Sequence, residues 1–515
     1  MSNSAFQSIT VSPMDEYNQT LVSYVHPPDW VNPEPADCYD LVVIGGGTAG
    51  LVVAAGAAGL DVGLKVALIE KHLLGGDCLN VGCVPSKCMI RSSRVVGEMH
   101  NAIAYGIHAP EHIEVDFPAV MQRMRRLRAN ISPHDSAQRF QKLGVDIFLG
   151  SGRFSSSNTI QVGAQALRFK KAVIATGARA AQLPIEGIEE AGYLTNETVF
   201  SLTERPQRLA VIGGGPIGCE LAQAFRRLGS EVVVFHQGSH ILNKEDADAA
   251  EIVQNVFIRE GIRLVLNCKM QRVVKTDQGK TLYFTCKGQE ESITVDEILI
   301  GVGRAPNVEG LNLEAVGVEY DRKQGVKVND YLQTTNAKIY AAGDICMNWK
   351  FTHAADAAAR IVIKNTLFSP FGLGRSKLSS LVMPWVTYTD PEIAHVGLYE
   401  QEAKEKGIDI DTIKIPFSDV DRAIADGEEQ GFVKIHHKKG SDEIVGATIV
   451  APHAGEMISE VTAAIVGKLG LNTLSSVIHP YPTQAEGIKK AADAYRRTLL
   501  KPSTKRLLGL LTKLS

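Results

Sequence analysis

Twice along this chain an apolar strand runs into three glycines spaced G-x-G-x-x-G and then into a helix, and no other feature restricts the fold so tightly. Tyr39 to Ile44 leads into Gly45, Gly47 and Gly50, and Arg208 to Ile212 leads into Gly213, Gly215 and Gly218. In such a fingerprint the first glycine allows the turn, the second lets backbone approach a diphosphate at the helix N-terminus, and the third lets helix and strand pack closely. One fingerprint alone is weak, but after the first copy the strand Lys65 to Ile69 ends in Glu70, a carboxylate placed to accept from adenosine ribose hydroxyls. Two copies imply two dinucleotides. The strand after the second copy, Glu231 to Phe235, ends in His236 and Gln237. No acid stands there to repel a 2′-phosphate and no arginine to clamp one, so the reading leans to NADPH over NADH.

Between the copies lies Gly75-Gly76-Asp77-Cys78-Leu79-Asn80-Val81-Gly82-Cys83-Val84-Pro85-Ser86-Lys87. On a regular helix residues five apart point in different directions and sit roughly 8–9 Å apart, beyond disulfide reach. The two cysteines bridge only if the backbone is irregular, and Gly75, Gly76 and Gly82 supply that freedom. Pro85 suits a first helical turn, so a helix is expected from about Val84 with Cys83 at its positive end, where a thiolate is stabilised.

The segment GGDCLNVGCVPSK resembles the active-site segment of the pyridine nucleotide-disulfide oxidoreductases. The resemblance implies an α/β chain with two Rossmann-like domains, one for FAD and one for NAD(P), and a C-terminal α+β dimerisation domain. It further implies that hydride from NAD(P)H reaches FAD and then a Cys78–Cys83 disulfide, that Cys78 attacks the substrate, and that Cys83 stays beside the flavin. Lys87 matches the family lysine near the flavin, paired with a glutamate that would be Glu220. Gly152, Thr176, Gly177 and Asp344 would complete the FAD site, and Gly303 would lie under the nicotinamide half of the second cofactor.

The domains expected on this basis are a polar, loosely held extension (1–37), a first FAD segment (38–180), an NAD(P) domain (181–305), a returning FAD segment (306–380), a dimerisation domain (381–500) and a basic amphipathic tail (501–515). In the extension Pro27, Pro28, Pro33 and Pro35 argue against a compact helix. The basic stripe of Arg123, Arg125, Arg126 and Arg128 reads as a solvated face. The eight cysteines form no evenly spaced framework, so most of them are expected to be reduced packing residues. No apolar run approaches the ~20 residues of a membrane span, and the first 37 residues lack an export signal; cytoplasm is the expected compartment. Nothing points to nucleic acid or a resident metal. In the tail, Lys501, Lys505, Arg506 and Lys513 with Leu507, Leu510, Leu511 and Leu514 suggest weak membrane contact.

The acceptor turns on Ile478-His479-Pro480-Tyr481-Pro482-Thr483-Gln484-Ala485-Glu486. Lipoamide dehydrogenase and glutathione reductase keep a histidine base five residues before the glutamate, and here that place holds Tyr481, with His479 two residues earlier. A tyrosine there, with a second one matching Tyr193, resembles mercuric reductase. Those enzymes end in a vicinal cysteine pair, whereas the last cysteine here is Cys346. The expected activity is a mercuric-reductase-like NAD(P)H oxidoreductase acting as a homodimer on a small disulfide, dithiol or thiol-bound metal. The alternatives are a dihydrolipoamide dehydrogenase using His479 and a membrane-associated FAD electron-transfer protein.

Overall fold

In a computed structural model that describes residues 11–500 and 502–513, both fingerprints stand at the ends of parallel sheets. The first sheet places Tyr39–Ile44 between Val66–Glu70 and Gln165–Ile174, with Val145–Leu149 beyond the former and Ile339–Ala341 beyond the latter, all parallel. A meander of Gly152–Ser156 and Thr159–Val162 continues it antiparallel. Alternation along the central strand divides two cores: Leu41 and Val43 face one, Val42 and Ile44 the other. Helices Thr48–Ala58 and Thr352–Leu367 pack together on the first face.

The second sheet repeats the plan with Arg263–Leu266, Glu231–His236, Arg208–Ile212 and Glu297–Ile300 in parallel. Beside it lies an antiparallel sheet of Cys268–Thr276, Gly279–Cys286 and Gln289–Val295. The glycines act alike in both copies. A Cβ at Gly45 would stand 2.2 Å from the Ala175 carbonyl oxygen and one at Gly50 1.8 Å from that of Gly45; at Gly213 and Gly218 the corresponding clashes are 2.4 and 1.9 Å. Any side chain would push strand and helix apart.

From Pro384 the chain forms a five-stranded antiparallel sheet in the order Pro384–Thr387, Glu392–Gly397, Ile444–Ala451, Phe432–Lys438, Ile410–Pro416. Helices Ala454–Val466 and Glu486–Thr498 cover it, burying Ile458, Val461, Ile488 and Ala492. The tail forms a helix over Pro502–Leu511 with Leu510 and Leu511 exposed; Lys501 and Leu514 lie outside the described residues. No described helix is long and apolar enough to cross a membrane.

Three expectations are corrected. The extension is not loosely held: Glu16–Val25 is a helix, capped by the Asp15 carboxylate accepting from the Asn18 amide at 2.9 Å. Its prolines all fall outside the helix, after its end at His26 or before Asp15, and so mark its boundaries. Leu21 and Val25, one turn apart, are buried in the first core, worth about 1.5–3 kcal/mol each. For the same reason Arg125 and Arg128 are not a solvated face. The helix covers them: Arg125 Nε donates to Asp15 at 2.5 Å, and Arg128 donates to the Asn18 side chain at 2.6 Å and the Asn80 carbonyl at 2.5 Å. Finally, Cys268 and Cys286 are not reduced packing residues. They pair across the first rung of the hairpin, with Cα atoms 4.5 Å apart, as a disulfide.

Candidate active site

The glycine-rich segment folds as two helices separated by a break. Gly76–Val81 carries Cys78; Gly82, at φ −134° and ψ −115°, interrupts the spiral, and the helix Cys83–Asn101 starts with Cys83 as its first residue and Pro85 in its first turn. This break removes the five-residue offset that would hold the sulfurs apart. Cys78 and Cys83 are two thiols that share a hydrogen bond. The bond is asymmetric. Hydrogen bonding from Cys78, then from Thr352, and the nearby Lys87 ammonium hold Cys83 well below the usual thiol range against the opposing effect of burial. The same bond, with burial, drives Cys78 strongly upward. Thr352, first residue of its helix, places Oγ1 3.4 Å from Cys83 Sγ.

One turn beyond Cys83, Lys87 Nζ lies 2.7 Å from Glu220 Oε2. The other oxygen of Glu220 accepts from the Tyr388 amide at 2.9 Å, and Lys87 sits 4.4 Å over the Tyr388 ring. Burial alone would lower Lys87, but the Glu220 carboxylate holds it raised. Three segments therefore meet at this cation: the cysteine helix, the helix of the second fingerprint and the edge of the C-terminal sheet.

A single open cleft of about 4320 Å³ joins the two fingerprints through this point. Of the expected site residues, Gly45, Gly47, Glu70, Gly152, Thr176, Gly177 and Asp344 line its first compartment, Cys78, Cys83, Lys87 and Glu220 its middle, and Gly213, Gly215, His236 and Gly303 its second. Gly50 and Gly218 stand behind the wall, where they pack. The first compartment fits FAD. Glu70 is a buried carboxylate fixed on both oxygens, accepting from the Gly46 amide at 2.5 Å and the His72 amide at 2.6 Å, and desolvation raises it despite those bonds. At the other end Asp344 lies 3.2 Å from Arg304, which also pairs with Asp77. The second compartment repeats the device: the Gly214 amide donates to His236 Nδ1 at 3.2 Å, as Gly46 does to Glu70. His236 Nε2 is buried without a partner, and desolvation lowers the ring.

Four expected residues stand outside the cleft within one protomer. Tyr193 packs against the second sheet and donates to Glu189 at 3.0 Å. His479 points into its own domain, Nε2 at 2.8 Å from Glu460 Oε1, with a side chain only 6% exposed. Tyr481 is 71% exposed and donates to Asp421 at 3.0 Å. Glu486 has one buried carboxylate oxygen without a partner and the other 3.6 Å from Lys490.

The family described as pyridine nucleotide-disulphide oxidoreductase matches residues 39–359, and its dimerisation domain matches residues 383–492. The chain belongs to the pyridine nucleotide-disulphide oxidoreductases. Within that family it is 36% identical over 465 residues to mercuric reductase from Staphylococcus aureus, covering 90% of this chain and 84% of the relative. It is 33% identical over 459 residues to dihydrolipoyl dehydrogenase from Chlamydia muridarum, covering 87% and 95%. Among solved structures, the HOCl-induced flavoprotein disulfide reductase RclA from Escherichia coli aligns at TM-score 0.78 and 26% identity, over 88% of this chain and 99% of that one. The chain is thus an FAD-dependent disulfide oxidoreductase using NAD(P)H, with two Rossmann-like domains and a dimerisation domain.

Two contacts in the site escaped sequence reasoning. Thr352 reaches Cys83 across 269 residues of chain and Tyr388 reaches Glu220 across 168. The only local signal for Thr352 is a small hydroxyl residue opening a helix soon after Asp344.

Proposed function

We propose that this oxidoreductase is a mercuric-reductase-like homodimer in which two electrons from NADPH open a Cys78–Cys83 disulfide, and the resulting dithiol reduces a small disulfide or a thiol-bound soft metal ion. The observation that carries this reading is the contrast between His479, folded inward onto Glu460, and Tyr481, presented outward on the dimerisation domain. Only an outward side chain reaches the cleft of another protomer.

FAD, when bound, relays two electrons between nicotinamide and sulfur. Opening a disulfide with a hydride equivalent leaves one thiol and one thiolate. The residues assign them: Cys83, held low by its hydrogen bonds and by Lys87, keeps the thiolate, and Cys78 keeps the proton. For a disulfide acceptor, Cys78 gives up that proton and attacks one sulfur, releasing the first substrate thiolate. Cys83 then attacks Cys78 in the mixed disulfide, releases the second and restores the Cys78–Cys83 bond. One further proton from solvent balances the two product thiols. Asp421 raises the Tyr481 hydroxyl, so it stays protonated and serves as a donor to a departing sulfur, a poor base at neutral pH. Steady-state turnover of the holoenzyme with a small disulfide, Hg(II) in excess thiol, dihydrolipoamide and a quinone tests the reading. Sulfur- or metal-dependent NADPH oxidation is expected; fast dihydrolipoamide oxidation with NAD⁺, or NADPH oxidation by the quinone alone, would exclude it.

NADPH is supported by what surrounds His236. The nearby acids Glu245 and Asp246 are held elsewhere: Glu245 accepts from Trp385 at 3.0 Å and Tyr399 at 2.5 Å, and Asp246 from Lys434 at 2.9 Å. No carboxylate is left at the strand end to repel a 2′-phosphate. His236→Glu should accept the Gly214 amide as Glu70 accepts Gly46, shifting preference toward NADH by about tenfold or more in kcat/KM ratio. A wild-type enzyme already preferring NADH tenfold would contradict the assignment.

A further inference from the structure

The N-terminal segment stands outside the residues matched by the family, yet it forms part of the cleft wall. After the helix Glu16–Val25, the chain runs across the ends of the strands Val66–Glu70 and Val145–Leu149, attached at every few residues. Val25 accepts from the Leu74 amide at 3.0 Å, the His26 ring contacts the His72 carbonyl, and the Trp30 indole donates to Ile147 at 3.2 Å. Asn32 bonds Leu149 in both directions, its amide donating at 3.1 Å and its oxygen accepting at 2.8 Å. Leu149 is the direct cross-strand neighbour of Glu70. Pro33 accepts from the Gln165 side chain at 2.7 Å.

Between the two anchored residues Trp30 and Asn32 stands Val31. It lines the same cleft as Glu70, Lys71 and Gly150, yet is 84% exposed. A single exposed valine is ordinary on a surface. This one differs because both its neighbours are pinned, it shares the wall with the carboxylate that reads a ribose, and Pro27, Pro28 and Pro33 limit the freedom of the segment. A ligand meeting it finds an apolar face already in place, with little ordering left to do.

We propose that residues 26–33 form a clasp for the adenosine end of FAD, with Val31 covering one face of the adenine and Asn32 holding the clasp to the sheet. This rests on FAD occupying the first compartment. The occupant is specified by continuity: beyond the ribose held at Glu70, the next group of FAD is a flat, largely apolar heterocycle. Val31 touches that ring, whereas Asn32 is a positioning residue acting through the backbone.

The test uses full-length holoenzyme and does not depend on turnover. FAD release is followed by flavin fluorescence after dilution, and the apoprotein is titrated with FAD and with FMN, which lacks the adenosine. Val31→Ser and Asn32→Ala should each speed FAD release about tenfold and leave FMN affinity unchanged, and Val31→Ser should also leave the thermal unfolding of the apoprotein unchanged. Val31→Ile should behave as wild type. FAD release unchanged in either the serine or the alanine variant overturns the proposal, and so does equal weakening of FMN and FAD, which would mean a loosened domain. A wild-type protein that binds no FAD would refute the flavoenzyme reading itself, and the clasp with it.

Discussion

In the FAD-loaded enzyme, Cys78→Ala is expected to keep a long-wavelength absorbance band from a thiolate beside the flavin, and Cys83→Ala to lack it, while both lose at least about 10³-fold in disulfide-dependent kcat. The expectation follows from the asymmetry of the pair. Cys83 opens the helix Cys83–Asn101, contacts Thr352 at 3.4 Å and has Lys87 one turn away. Cys78 lies on the other side of the Gly82 break and is held protonated. The pH dependence has a definite sign. Since the Cys83 pKa is lowered, the band of the reduced enzyme should persist below the usual thiol range and vanish as pH falls through the lowered value. In Cys78→Ala the largest contribution, the hydrogen bond from Cys78, is gone. The band of that variant should therefore fade at a higher pH than in the two-thiol enzyme. Equal bands in both alanine variants would reverse or abolish the assignment of roles.

The second large effect separates Tyr481 from His479. With His479 bonded to Glu460 and its side chain 6% exposed, His479→Ala should change turnover with disulfide or thiol-bound metal by less than about threefold, far below the 10²–10⁴ typical of a lost acid or base. Tyr481→Phe removes only the hydroxyl, leaves an exposed ring in place, and should lower metal or disulfide reduction by about 10²-fold. A lipoamide-type enzyme would give the opposite pattern, with His479→Ala costing two orders of magnitude in dithiol oxidation and Tyr481→Phe costing little. Rates of flavin reduction by the nicotinamide, measured alongside by stopped flow, should be unaltered in both variants. That control keeps a damaged fold from passing as a lost proton donor.

What the sequence disclosed and what it hid divide along a physical line. The fingerprints were legible because their constraint is local: a Cβ at Gly45 or Gly50 meets backbone atoms within a few residues or in the adjoining strand. The helix start was legible to within a residue, expected near Val84 and found at Cys83, because Pro85 suits only a first turn. The extension was hidden because ten helical residues with Leu21 and Val25 as their main apolar contribution carry little periodicity. Its partners, Arg125 and Arg128, lie 110 residues away. One misreading produced the other: without the helix in place, two buried arginines look like part of a solvated stripe. The Cys268–Cys286 bond was hidden because nothing in the spacing sets the hairpin register that brings the two residues opposite each other. Lys87 and Glu220 could be paired only through resemblance, since 133 residues separate them.

The bond from Gly46 to Glu70 and the bond from Gly214 to His236 are one device made twice with different chemistry at its tip. In each, the amide that orients the tip belongs to the glycine loop, while the tip itself belongs to the neighbouring strand. On the proposed reading, grip on the nucleotide and choice of nucleotide would therefore fall to different segments of chain. If the proposed coenzyme reading holds, selectivity is an exchangeable fitting: a change at position 236 is expected to re-address the compartment to another coenzyme without rebuilding the cradle beneath it.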